Sequence, residues 1–451
     1  QLQFRGDPQP ISLPLMGCGA SFRQRGSTVT NNVAQVVPAI CVDGTPVKLV
    51  SAENEKEEKD SDQGSLATLE SGPMGPTLAE LLFNAQTKPE DIFDPAHAEL
   101  CLLGVSKRSE GGEGSNSAVV EEDFTEKTLC CWSSSSTDGA NIREMSKKQG
   151  VGFCCLKGKK PTTPNQDTLL VLMGAGMIIC GVADGHGEFG HWASHWVVQY
   201  ASKIMIDDVC KQGTLPTENV LKKIFNLCHE ALRLRAEADK LDLSMSGTTL
   251  SLTFIQPADR IVMSAWVGDS RVVMGQIDQD KEGRSTLLRG MSITEDHNPR
   301  DFQEKQRVLQ HGGELCNSGR RISPMPAVNG EAPSRGSTGS TAGLALTRAI
   351  GDFAFMAYGV THVPGIKLSR YSEVSEGSCI ILCSDGIWEF VATDEVARIC
   401  WPGESESPHE AAQELVAEAK RRWTKDAEDD DIDDISAIVI WPHMYVNPRR
   451  A

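Results

Sequence analysis

Four β-rich runs of this chain each abut an aspartate, and that repetition limits the folds open to it more than any other feature. Residues 178–183 end at Asp184, 261–267 run into Gly268-Asp269, 380–383 lead to Ser384-Asp385, and 435–441 follow Asp433-Asp434. A single aspartate at a strand end is ordinarily a turn former. Four of them, three beside glycine, imply strands that deliver carboxylates to one edge of packed sheets. Carboxylates so gathered repel one another unless a divalent cation lies between them. An all-oxygen donor set suits Mg²⁺ or Mn²⁺.

The chain changes texture near residue 145. Upstream, Ser, Gly, Pro, Glu and Lys dominate, as in residues 53–60 and 111–115. Such segments bury too little apolar surface to offset ordering entropy, so residues 1–145 are expected to be mostly disordered, with some helical character at 77–83. Downstream, short β-rich runs alternate with helical patterns. In residues 220–235, Val220, Leu221, Ile224, Phe225, Cys228 and Leu232 share one face. A second helix opens at Ser407-Pro408-His409-Glu410, a capping box with Pro at the first helical position. Strands in hairpin-like pairs with helices outside give a layered α+β architecture.

Bulk properties exclude several classes. The net charge of −18 makes the chain repel nucleic acid and anionic lipid on average, while leaving it suited to hard cations. None of the 14 cysteines is spaced as CxxC, which argues against a structural zinc site and for reduced thiols in a cytoplasmic protein. The longest apolar run, 169–183, is shorter than the ~18 residues of a membrane span and reads as two buried strands joined by Gly174-Ala175-Gly176.

The acidic strand ends fall within motifs that resemble the protein phosphatase 2C (PPM) family. Asp184-Gly185-His186-Gly187 looks like its DGHG signature, and the other motifs follow the family's order. They are Asn165-Gln166-Asp167, Ser246-Gly247-Thr248-Thr249, Gly268-Asp269-Ser270-Arg271, Asp296-His297-Asn298-Pro299, residues 344–352, 384–389 and 433–436. The resemblance implies a four-layer α-β-β-α sandwich of two antiparallel sheets flanked by helices, spanning 146–445, with a variable flap at about 300–342 and a tail at 446–451. It implies hydrolysis of phosphoserine and phosphothreonine in phosphoprotein substrates, by a monomer holding two Mg²⁺ or Mn²⁺ ions and a weaker third. Asp184 would bridge the two ions and the Gly185 carbonyl would bind one. Asp385 and Asp433 would hold the other, Asp167 would reach an ion through water, and Asp269 would serve the third. His186 would be the general acid. His191 and His195, four residues apart, read as packed or solvated histidines.

Two departures from the family pattern stand out. Where the family carries a phosphate-binding Arg, the aligned residue is Lys157, which supplies charge without a bidentate fork. The closing motif has Asp434 where many members have Asn, which puts extra negative charge near the ions. At the other end, Met16-Gly17-Cys18-Gly19-Ala20-Ser21 fits the N-myristoylation pattern if Met16 is the initiator, with Cys18 placed for palmitoylation. That would add membrane association through a lipid anchor at Gly17 and Cys18. Two other readings keep the fold: a binding module that has lost its metals, and a scaffold whose N-terminal region carries the function.

Overall fold

The computed structural model of the 451-residue chain describes residues 41–42, 45–46, 100–106, 118–119, 127–133, 149–160, 164–279, 285–323, 343–371, 378–426 and 432–445. The helical stretch 77–83, the acylation positions Gly17 and Cys18, flap residues 324–342 and the tail lie outside them. The chain forms two compact units, Gln1–Glu70 and Ser71–Ala451. In the first, Cys41–Val42 pairs with Thr45–Pro46. Among the described residues no helix is long and apolar enough to cross a membrane.

In chain order the second unit contains β1 (Leu100–Ser106), β2 (Ala118–Val119), β3 (Lys127–Ser133), β4 (Val151–Leu156), β5 (Asp167–Gly174) and β6 (Met177–His186). Helices α1 (Gly190–Ile204) and α2 (Glu218–Asp239) follow, then β7 (Leu250–Gln256), β8 (Ile261–Val267), β9 (Arg271–Gln279) and β10 (Ser285–Ser292). The chain continues through α3 (Phe302–Gln310), β11 (Gly365–Arg370), β12 (Cys379–Cys383), α4 (Asp385–Trp388), α5 (Thr393–Ile399), α6 (Pro408–Asp426) and β13 (Ile435–Ile440). One sheet runs β11-β8-β7-β6-β5-β1-β3-β2, the other β10-β9-β12-β13-β4. Neighbouring strands pair antiparallel in both sheets.

Both faces of the central strands are buried, which is why they read as continuous apolar runs rather than alternating ones. Val171, Ile178, Cys180 and Val182 point between the sheets and meet Val272, Ile380, Leu382 and Ile438. Their neighbours Leu170, Leu172 and Ile179 point outward and pack with Ile224, Phe225 and Leu232 of α2 and with α1. On the other sheet Val273, Ile381 and Val439 face α5 and α6, where Val396, Leu415 and Val416 cover them. The result is the expected four layers. Thr217 caps α2 by accepting from Val220 N–H at 3.4 Å, and Ser407 caps α6 by accepting from Glu410 N–H at 3.3 Å.

The expected domain start at 146 is corrected. β1 pairs with β5 from Leu100↔Met173 to Leu103↔Leu170, and β3 pairs with β1, so the sheet reaches back to residue 100. The polar composition around these strands hid them. In the flap, residues 300–323 carry α3 and the paired strands Leu315–Cys316 and Arg321–Ile322. These sit over a small core of Val308, Ile322, Leu344, Leu346, Phe355 and Val360.

Candidate active site

The β5–β6 hairpin sets the site's register. Ala175 and Gly176 take φ of 55° and 76°, two successive left-handed residues of the kind a tight hairpin turn requires. From that turn the ladder runs without slippage to Asp167 opposite Asp184. The 246–249 segment fixes the next turn. Thr249 Oγ1 accepts from Asp184 N–H at 2.9 Å, Thr249 N–H donates to the Asp184 carbonyl at 2.8 Å, and Ser246 Oγ accepts from Phe189 N–H at 3.1 Å. Gly185 is obligatory here, since a Cβ would lie 2.2 Å from the Gly190 carbonyl oxygen.

These elements open a cleft of about 390 Å³ whose lining includes Asp184, Gly185, His186, Asp269, Asp385 and Asp433. The acidic strand ends therefore do converge, from β6, the β8–β9 turn, the start of α4 and the residue pair before β13. Asp167 is fully buried and is not among the lining residues. Its Oδ2 accepts from Ser384 Oγ at 2.7 Å while its Oδ1 has no partner. Asp385 Oδ1 is likewise buried and unpartnered.

The electrostatics record the crowding. Burial first, then Asp434, pushes Asp167 up to about 7. Burial, then Asp385 and Asp296, takes Asp269 to about 8. Burial, then Asp433, takes Asp385 to about 6. Burial and Asp385 hold Asp184 well above the ordinary carboxylate range. Carboxylates in this state suit divalent cations, which would relieve the repulsion and partner the orphaned oxygens. Among the described residues no three His, Cys, Asp or Glu side chains form a ready-made metal cage. Mg²⁺ needs none, because it keeps several waters and takes few protein ligands.

Two further residues act at the site, one behind His186 and one in the cleft wall. Asp352, fully buried, meets His186 Nε2 through Oδ2 at 2.6 Å. Burial alone would lower the imidazole's pKa, but the charge and hydrogen bond of Asp352 outweigh it and raise it. Lys160 lines the cleft and pairs with Asp433. Burial opposes its charge, while Asp433, Asp184 and Asp434 restore it and hold its pKa above the ordinary lysine value. Lys157, three residues earlier, does not line the cleft. The sequence offers three lysines at 157, 159 and 160, and only the fold distinguishes them.

Asp434 brings the expected negative charge close to Asp167 and Lys160, and it also has a structural use. Its oxygens accept from Gly158 N–H at 2.8 Å and Gln166 N–H at 2.7 Å, so its charge ties two loops to the start of β13. His191 and His195 are buried on α1, and His195 Nε2 lies 3.0 Å from Gln199 Nε2.

Against known proteins, the family model described as "Protein phosphatase 2C" matches residues 179–427, more than half of the chain. The chain belongs to the protein phosphatase 2C family. It is similar to Probable protein phosphatase 2C 73 of Arabidopsis thaliana, 32% identical over 301 residues, covering 62% of this chain and 76% of that protein. Probable protein phosphatase 2C 72 of the same plant is 28% identical over 306 residues, covering 64% and 84%. A serine-threonine phosphatase 2C from Toxoplasma gondii superposes with a TM-score of 0.52 at 19% identity, covering 64% of this chain and 94% of that one, and shows the shared fold. Membership in a phosphatase family implies phosphoprotein substrates.

Proposed function

We propose that this chain is a metal-dependent protein phosphatase that hydrolyses phosphoserine and phosphothreonine. The observation that carries the reading is one cleft holding Asp184, Asp385, Asp433 and Asp269 beside a carboxylate-held histidine and a lysine. Asp184, the Gly185 carbonyl, Asp385 and Asp433 would hold two Mg²⁺ or Mn²⁺ ions, with Asp167 behind them and Asp269 serving a weaker third. When bound, the ions supply a nucleophile at neutral pH and neutralise charge on the phosphoryl group. His186 lies at the cleft, where it donates a proton to the departing Ser or Thr oxygen. Asp352 orients the imidazole and favours its charged form. Lys160 takes the place assigned above to Lys157, offering positive charge to the phosphoryl oxygens.

Phosphopeptide turnover measured in parallel with EDTA, Mg²⁺ and Mn²⁺ tests this. Activity is expected only with metal, and Asp184→Asn should remove most of it while circular dichroism stays unchanged. Full turnover in EDTA, or in Asp184→Asn, rules the mechanism out. Membrane association through Gly17 and Cys18 is a separate part of the proposal. Gly17→Ala should shift the protein from membranes to cytosol in cell fractionation, and a soluble parent chain would end that reading.

A further inference from the structure

A second cleft of about 300 Å³ opens beside the first, and Asp269, Asp385, Arg321 and Ala345 line both. Four arginines, Arg271, Arg300, Arg320 and Arg321, line this second space. Arginine gathered against an acidic centre could serve only to balance its charge, and Arg271 does so. It binds Asp296 through two bonds of 2.6 and 2.7 Å, with its guanidinium 5.6 Å from the Trp388 ring. The other three are different. Arg321 donates to the Gly343 carbonyl at 2.8 Å. Arg300 and Arg320 are exposed and have no carboxylate partner among the described residues.

The backbone before Arg320 is bent to place it there. Asn317, Ser318 and Gly319 take φ of 49°, 55° and 82° in succession. For residues other than glycine that conformation costs about 1–2 kcal/mol each, and such outliers gather at functional sites. The acidic wall of the cleft, Asp269 and Asp385, is the wall turned to the metal centre proposed above. With those two engaged by cations and Arg271 neutralised by Asp296, Arg300, Arg320 and Arg321 face Glu389 alone, which leaves the cleft positive. The arrangement suits an anion with several oxygens, because guanidinium forks bind phosphoryl and carboxylate groups bidentately.

We infer that this cleft is a subsite for a second anionic group of the substrate, a phosphoryl or a carboxylate close in sequence to the scissile phosphoserine or phosphothreonine. The inference rests on the phosphatase reading and narrows it to substrates with clustered negative charge. Because the clefts share lining residues, the second anion lies within a few residues of the first, each spanning at most ~3.3–3.6 Å. The chain's net charge of −18 gives no general attraction for anionic peptides, so any preference for them has to be local.

The test uses the full chain with Mg²⁺ or Mn²⁺ and phosphoserine peptides carrying phosphoserine, Glu or Gln at each of the three positions on either side. kcat/KM for the best anionic peptide should exceed that of its Gln counterpart by about tenfold, a factor worth 1.4 kcal/mol. Preference for phosphoserine over Glu identifies a phosphoryl subsite, and equal preference a general anion subsite. The double variant Arg300→Gln/Arg320→Gln should bring the ratio to within about twofold of unity. Turnover of all peptides without preference, or a preference that survives in the double variant, overturns the subsite while the phosphatase reading stands. Absence of turnover on every peptide overturns the phosphatase reading instead. Fluorescence anisotropy with hydrolysis-resistant phosphonate peptides then decides the subsite. Tighter binding of the doubly charged peptide, lost in the double variant, supports it, and equal binding overturns it.

Discussion

Asp352 touches the proposed reaction only through His186, and that makes its replacement informative. Cleavage of phosphoserine expels an alkoxide, a far stronger base than phenoxide, whose parent pKa is about 10. A positioned general acid is typically worth ~10²–10⁴-fold. His186→Ala should therefore cut kcat on a phosphoserine peptide by a factor in that range and cut aryl phosphate turnover much less. Asp352→Asn keeps the volume of this buried side chain but removes the charge that raises the imidazole's pKa. It should show the same leaving-group split, smaller in size, whereas a role confined to packing would give equal losses on both substrates. Lysine makes the complementary case. Lys160→Ala should raise KM for phosphopeptide by roughly tenfold with a smaller effect on kcat, as expected for a contact made in both ground and transition states. Lys157→Ala should leave KM within twofold, and the reverse result would return the phosphate contact to Lys157. The sequence made every cleft aspartate legible, because strand ends and glycines mark where a carboxylate can be presented. It left Lys160, Asp352 and the structural use of Asp434 hidden, since each depends on which loops meet across more than 160 residues of chain.

Helix α3 and the 344–352 segment, which ends at Asp352, meet around one buried carboxylate, with Arg307 also donating to the Thr347 carbonyl at 2.8 Å. Glu304 accepts from Arg307 at 2.7 and 2.6 Å, from Thr347 Oγ1 at 2.7 Å and from Arg348 at 2.6 Å. Burial alone would raise its pKa, but the two guanidinium groups and the hydroxyl hold it well below the ordinary carboxylate range. A carboxylate depressed in the folded state binds fewer protons there than in the unfolded chain. Its stabilising contribution is therefore complete above the unfolded value of about 4.3 and is lost as pH falls from there toward the lower folded value. Glu304→Gln should lower stability at pH 7 by about 3–5 kcal/mol, because it leaves buried charge uncompensated. It should also flatten the fall in melting temperature between about pH 5 and pH 3. An unchanged melting temperature at pH 7 would show that the cluster does not hold the segment. Elements of this kind were legible in part. The capping box at Ser407 and the α2 stripe mark real helices, because both signals are local. The flap's own small core was not legible, since Val308, Ile322, Leu344 and Phe355 form no periodic run and meet only through the fold.

At the scale of the molecule, the point where the sandwich begins decides whether its first sheet ends in a protected or an open edge. Composition placed that point at 146, because the residues around 100–106 and 127–133 are rich in Gly, Ser and Glu. Pairing places it at 100, with β1 covering β5 and β3 covering β1. A chain starting at 146 would expose the backbone edge of β5, and Thr168-Leu169-Leu170-Val171-Leu172-Met173 contains no charge or proline to discourage pairing with another molecule. It would also uncover Cys101's place in the apolar core. Four registered pairs join β1 to β5. At about 1 kcal/mol net for each backbone hydrogen bond their loss costs ~4 kcal/mol, or roughly 8–16 °C at the ~2–4 °C per kcal/mol of a domain this size. A chain lacking residues 1–95 should keep the melting temperature of the full protein to within a few degrees and elute as a single species. One lacking residues 1–145 should melt lower by that margin, and part of it should elute as larger assemblies at micromolar concentration. Equal melting temperatures and matching elution of the two truncations would show that β1 and β3 add nothing to the sandwich, and would return its boundary to 146.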